Sequence, residues 1–402
     1  MRLLIVTPWY PDSYTDQHGN FILDSVEALS SLGHQVTVLV TRPWIPFRTK
    51  RAGCRMMSTA MHARGYPIAC IEYLSIPRNY LRWISDWFYV HSCGSRLREL
   101  IRTGSFDAVH AHTELSGYMA ALVARPMGIP VVTTVHGVNR AWRYQHGWGR
   151  RRFFKTAFAG ADRLVLVGAS LRAFVGCYVD RLDHVRLVAN GFRQQSEGQL
   201  RNRSALTGSD RLELISVSNL VDGKGVDVNL AALTKLDLAG RRDWCYTIVG
   251  DGPGRAALEA DATKRGLSDR VSFAGRCSTE EVFRRLNTGD VFCLPSSPEA
   301  FGVAYLEAMS CGLLAIGVAG QGPSTFITDG VDGLLLSKPN ANELADRLLE
   351  IFDNRESFRR MAVRGKEKVN EGYTWQHHAS VLSQVITEAV SEALRLPVPS
   401  DE

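Results

Sequence analysis

No stretch of this 402-residue chain approaches the ~20 consecutive apolar residues of a membrane span; its longest apolar runs, Leu3 to Val6 and Val36 to Val40, have the length of strands. The eight cysteines, at positions 54, 70, 93, 177, 245, 277, 293 and 311, include no C-x-x-C pair. That argues against a zinc ribbon or a dithiol redox site, and the expectation is reduced thiols in a cytosolic protein. The N-terminus enters a strand pattern at once, so no secretory leader is expected. Neither D-x-D nor H-E-x-x-H occurs, which leaves no basis for a paired-carboxylate metal clamp or a helical zinc site. Acid is missing locally as well: no Asp or Glu lies between Leu115 and Ala161, or between Arg42 and Arg64.

What is present is the composition of a soluble globular protein, 45% hydrophobic and 22% charged, with a net charge of +6. The length is too great for one core and predicts two domains. The positive charge is concentrated in the acid-free stretches. Arg140 to Lys155 interleaves six cations, Arg143 among them, with Trp, Tyr and Phe, and Arg42 to Arg64 mixes arginines with Trp44, Phe47, Met56 and Met57. Such clusters suit an anionic membrane face or a lipid diphosphate, at about 1 kcal/mol per cation near the surface. No nucleic-acid-binding motif accompanies them, so nucleic acid is not an expected partner.

Strand and helix patterns alternate. Strands are predicted at residues 2–7, 35–40, 108–111, 131–134 and 164–167, with a helix over 20–32. After a polar interval at 194–209 the rhythm restarts, with strands at 213–218, 246–249, 271–273, 291–294 and 314–316 and a helix over 226–236. This is the pattern of parallel α/β sheets, here two Rossmann-like domains with the polar interval as linker. Ligands of such sheets bind beyond the strand C-termini. Residues at those ends are therefore the first candidates: Gly19 at a helix start, His112 and His136 at two strand ends, then Asn139, and Lys224 between two glycines.

The densest motif is Pro298-Glu-Ala-Phe-Gly-Val-Ala-Tyr-Leu-Glu307. A turn carrying Glu299, Phe301 and Gly302 leads into a helix predicted over 303–310, which carries Glu307. Were the two acids on one helix they would be about 12 Å apart, at roughly 1.5 Å of rise per residue. That exceeds the roughly 5 Å of a retaining glycosidase dyad and suits a grip on two ends of a long polar ligand. Backbone amides at Phe301, Gly302 and Val303 would face an anion at the helix N-terminus.

This segment resembles the E-x7-E signature of retaining glycosyltransferases, specifically glycosyltransferase family 4, and the resemblance extends over about residues 2 to 375. It implies the GT-B fold: two Rossmann-like parallel-sheet domains facing across a cleft, 1–193 on the acceptor side and 210–374 on the nucleotide-sugar side, with a C-terminal helix from 375 onward crossing back. It also implies a retaining, metal-independent hexosyltransferase with no cofactor. The donor would be a nucleotide-diphosphate sugar, UDP first and GDP next, and the acceptor a lipid-linked sugar or oligosaccharide of bacterial cell-surface polysaccharide. The implied setting is the cytoplasmic face of the inner membrane. By resemblance Glu307 holds the ribose, Glu299 and His136 the sugar, and Lys224 the phosphates. Gly19 assists from the other domain, and Gly252 and Arg276 border the base. His112, Asn139 and Arg143 are acceptor-side candidates, within segments 42–64, 80–92 and 140–158. The chain departs from the pattern at Asn219, where the family has arginine, and at Ser324, near the place of a family acid. Both departures leave room for a catalytically silent scaffold subunit; a sugar-nucleotide epimerase or a glycogen-synthase-like polymerase would share the fold.

Overall fold

The computed structural model describes residues 1–11, 19–46, 65–76, 82–137, 148–194 and 211–395. The chain divides into two compact units, Met1–Asn190 with Trp375–Glu402, and Gly191–Thr374. The division falls at Asn190, just before position 193. The Phe192 amide donates to the Tyr373 carbonyl at 3.2 Å and Phe192 bridges Thr374, which ties this segment to the second unit. Among the predicted site residues, Asn139 and Arg143 lie outside the described residues, as does most of segment 42–64.

The first unit runs β1 (Arg2–Thr7), α1 (Asn20–Ser31), β2 (Gln35–Trp44), β3 (Ile68–Leu74), α2 (Arg82–Phe88), α3 (Gly94–Thr103), β4 (Ala108–His112), α4 (Glu114–Val123), β5 (Val131–Val135), α5 (Trp148–Ala159), β6 (Arg163–Leu166), α6 (Leu171–Gly176) and β7 (Val185–Leu187). Its seven strands are parallel, in the order β3-β2-β1-β4-β5-β6-β7. Helices cover both faces of such a sheet, so β1, β4 and β5 are buried almost without alternation, which is why they read as continuous apolar runs. Two strands carry no such signal. β3 is an edge strand half-buried along its whole length, and β7 has only three residues. β2 continues to Trp44, beyond the expected end at 40, because β3 pairs beside it as far as Trp44 and Leu74.

The second unit runs β8 (Leu212–Val217), α7 (Val226–Leu238), β9 (Trp244–Val249), α8 (Arg255–Lys264), β10 (Val271–Gly275), α9 (Thr279–Leu286), β11 (Val291–Cys293), α10 (Val303–Ser310), β12 (Leu314–Val318), β13 (Leu334–Leu336), α11 (Ala341–Asp353) and α12 (Arg355–Gly372). Six parallel strands lie in the order β10-β9-β8-β11-β12-β13. In both sheets the strand order reverses beside the first strand, which fixes where a ligand site forms.

The last helix, α13 (Trp375–Ala393), packs in the first unit. Trp375, Ala379, Leu382, Val385, Ile386 and Ala389 recur at helical spacing and join the core of Ile22, Val26 and Leu29 on α1. His378 on the same stripe donates from Nδ1 to the Ala189 carbonyl at 2.7 Å, which leaves Nε2 as the acceptor for the Ser25 hydroxyl at 2.9 Å. No helix among the described residues is long and apolar enough to cross a membrane. One expectation fails: Cys70 in β3 is disulfide-bonded, not a reduced thiol. Spacing rules detect close pairs, not a bond across an edge strand, and the cysteine-based ground for a cytosolic setting falls with it.

Candidate functional site

In the first unit the candidates gather where β1, β4 and β5 end. β4 and β5 pair in register with His112 opposite Thr134, so His112 and His136 emerge side by side. His112 Nδ1 lies 2.8 Å from His136 Nε2 and the rings stack with centroids 5.1 Å apart. A single proton occupies that contact. His110, which sequence reasoning did not single out, lies tilted against His112 with ring centroids 4.2 Å apart and meets Thr134 Oγ1 at 2.8 Å. Burial first, and then repulsion from neighbouring imidazoles, His378 among them, push all three down, His110 and His136 to about 3 and His112 well below its ordinary value. The cluster is therefore uncharged at neutral pH. His110 Nδ1, His112 Nε2 and His136 Nδ1 are buried without a partner. Uncharged rings with open nitrogens recognise hydroxyls, not anions.

Two backbone features frame this cluster. Gly19 caps α1 at φ +85°, and a Cβ there would come within 2.7 Å of the Trp9 carbonyl carbon. That close seat places Trp9 and Phe21 around His136, with ring centroids at 6.1 and 4.9 Å. Thr113, immediately after His112, has φ +87°, a costly conformation for a β-branched residue. It starts α4, and its hydroxyl joins a buried network with Ser116 and Tyr89.

In the second unit Lys224 and Glu299 meet. Lys224 Nζ donates to Glu299 Oε2 at 2.8 Å, and Ser296 Oγ donates to the same oxygen at 3.1 Å. The Glu299 backbone is clamped as well. Its amide donates to Gln321 Oε1 at 2.9 Å and its carbonyl accepts from the Gly322 amide at 2.8 Å. Glu299 thus precedes the helix, whereas Glu307 sits on α10, so the two acids do not share one helix axis. Gly302 caps α10 at φ +93° with no side-chain cap, and a Cβ there would come 2.7 Å from the Tyr305 ring. The first-turn amides, at Val303 and onward, keep the positive end of the helix free of any acidic side chain in that turn. Phe301 is buried against Phe326, so only its backbone can serve a ligand.

The remaining candidates scatter around this centre. Asn219 is exposed just past β8. The Gly252 amide donates to Asp251 Oδ1 at 2.8 Å, in the turn after β9. Arg276 is exposed just past β10. Ser324 Oγ accepts from the Gly320 amide at 2.8 Å, so it shapes the loop. Gln321 was not anticipated: its role is set by a contact 22 positions away. Among the described residues no three His, Cys, Asp or Glu side chains are grouped to hold a metal ion.

Comparisons with known proteins bear on the family and the fold. Residues 200–368 match the family model "Glycosyl transferases group 1", and residues 18–195 match "Glycosyltransferase Family 4". Alpha-D-kanosaminyltransferase of Streptomyces kanamyceticus is 27% identical over 363 residues, 84% of this chain and 90% of that protein. D-inositol 3-phosphate glycosyltransferase of Frankia alni is 29% identical over 311 residues, covering 72% and 76%. Among solved structures, sucrose-phosphate synthase of Thermosynechococcus elongatus superposes with a TM-score of 0.74 at 19% identity, over 98% of this chain and 100% of that one. Anabaena HepE in complex with UDP and glucose superposes with a TM-score of 0.71 at 17% identity, over 96% and 100%.

Proposed function

Because the chain belongs to family 4 of the GT-B glycosyltransferases, we propose that it is a retaining, metal-independent hexosyltransferase taking a sugar from a nucleotide-diphosphate donor. The donor is a UDP-sugar, with GDP second; the solved relative that holds UDP and glucose supports this choice. The observation that carries the reading is the Lys224–Glu299 pair beside the uncapped start of α10. Lys224 and the amides at Phe301, Gly302 and Val303 stabilise the departing diphosphate, the group on which negative charge grows. Glu307 accepts the ribose hydroxyls. Glu299 accepts hydroxyls of the transferred sugar. Gly252 and Arg276 border the base. In the first unit, taken by itself, the uncharged His112 and His136 beside Gly19 suit hydroxyl groups. The acceptor hydroxyl attacks the anomeric carbon on the face the diphosphate leaves. The carbon–oxygen bond to phosphate breaks, and the acceptor's proton passes to the leaving phosphate oxygen.

The acceptor is a lipid-linked or oligosaccharide glycan of cell-surface polysaccharide, reached from the inner membrane face. A stripe on the first unit supports a membrane setting. Trp83, Trp87, His91, Ser95, Arg98, Glu99 and Arg102 are exposed counterparts of buried Tyr89, Cys93, Leu97 and Ile101 along one helical run, with Glu99 paired to Arg96. Trp83 and Trp87 are 69% and 53% exposed, an amphipathic aromatic pair followed by cations. A silent scaffold is the second reading, and Asn219, uncharged where the family carries arginine, is what favours it.

The test is a panel of UDP-, GDP- and ADP-sugars with EDTA present, scoring released nucleotide and the anomeric configuration of the product. Release from one donor, lost in Glu307→Ala, supports the transferase. Silence across the panel, together with no thermal shift from any nucleotide, favours the scaffold.

A further inference from the structure

We infer that Glu299 is an internal competitor for Lys224, and that it makes the site prefer a nucleotide still carrying its sugar over the bare nucleoside diphosphate. This rests on the reading that Lys224 meets the diphosphate. Glu299 is held from every side: Ser296 on its carboxylate, Gln321 on its amide and Gly322 on its carbonyl. Its side chain is only 12% exposed, against 27% for Lys224. The carboxylate is the fixed partner, and the long side chain of Lys224, between Gly223 and Gly225, is the one that moves.

An arriving phosphate must share or take the ammonium that Glu299 already holds at 2.8 Å. A bare diphosphate draws the ammonium from Glu299 and sets a second anion beside its carboxylate. It also carries about one more negative charge than the sugar ester at neutral pH, because its terminal phosphate titrates near pH 6. A nucleotide sugar behaves differently. Its hydroxyls donate to the carboxylate and replace the hydrogen bond that Lys224 gives up. Before transfer Glu299 is therefore satisfied by the sugar. After transfer the sugar has gone, the carboxylate reclaims Lys224, and the product diphosphate is pushed out. Glu299 thus links recognition of the sugar to release of the product.

The test is calorimetric titration of UDP, GDP and ADP, and of their glucose esters, into the full-length protein, its Glu299→Gln variant and a Lys224→Met variant, with thermal melts to check folding. Gln keeps an oxygen for Lys224 and Ser296 and removes the charge. The diphosphate that the native protein binds is expected to bind Glu299→Gln about five- to tenfold more tightly, while the corresponding nucleotide sugar gains nothing. Lys224→Met should weaken both. Equal or weaker diphosphate binding in Glu299→Gln overturns the inference and leaves the transferase reading standing. Absence of binding by any of the three diphosphates to both native protein and Glu299→Gln overturns the phosphate role of Lys224 and the inference with it. Should Glu299→Gln fail to fold, Glu299→Ala must show the same sign.

Discussion

Toward the ends of β4 and β5 three imidazoles lie in contact and uncharged; in the loops after β8 and β11 an ammonium and a carboxylate lie 2.8 Å apart. The two sheets share one architecture and offer the same kind of strand-end crevice. They differ in how polar groups are kept there. The first unit discharges its groups by burial, and the second keeps full charges by pairing them and leaving them partly wet.

The largest expected consequence is on catalysis. Lys224→Met should lower donor turnover by about 10²–10³, the usual loss when one donor to a developing anion is removed. Steady-state kinetics measure it, and a loss below tenfold would break the charged half of the comparison.

The neutral half shows itself in pH dependence. His110 and His136 titrate near 3 when folded and near their ordinary 6.5 when unfolded. Between those values the unfolded chain binds more protons, so stability is full above about pH 6.5 and is lost as pH falls toward 3. Each imidazole contributes up to about 1.4 kcal/mol per pH unit in that window. Thermal melts from pH 7.5 to 5 should show a Tm that falls with acid; a flat profile would mean that the rings are protonated when folded.

Asn219→Arg adds the charge that the family carries. It should tighten nucleoside diphosphate binding by about tenfold, on the scale of one charged hydrogen bond. No change would place Asn219 away from the phosphates. The smallest effect on stability is expected at the exposed stripe. Replacing Trp83 and Trp87 by Ala should change unfolding free energy by within about 0.5 kcal/mol per site. Sedimentation with anionic vesicles should nevertheless lose most of the bound fraction, and unchanged partition would remove the stripe as a membrane contact.

Much of this was legible in the chain. β1 and α10 lie at their predicted bounds, because a doubly covered strand is apolar throughout and a Gly302-capped helix announces its start. His112 and His136 were candidates from their places at strand ends, Lys224 from its flanking glycines, and Glu299 and Glu307 from the E-x7-E spacing; the structure puts Glu299 before α10 and Glu307 within it. The rest depends on contacts that spacing does not encode. Gln321 reaches the Glu299 amide across 22 positions. His110 belongs to the cluster only because β4 and β5 align in register, and the strain at Thr113 has no signature in composition. Edge strand β3, half-buried on every residue, gave no periodic pattern, and its disulfide-bonded Cys70 followed it out of view.

That anion binding belongs to the charged strand end of the second unit and not to the uncharged imidazoles of the first is tested most directly by titrating one nucleoside diphosphate into the native protein, Lys224→Met and His136→Ala under identical salt. The predicted result is a large loss of affinity in Lys224→Met and native affinity in His136→Ala. Equal losses in both variants, or a loss confined to His136→Ala, would contradict it.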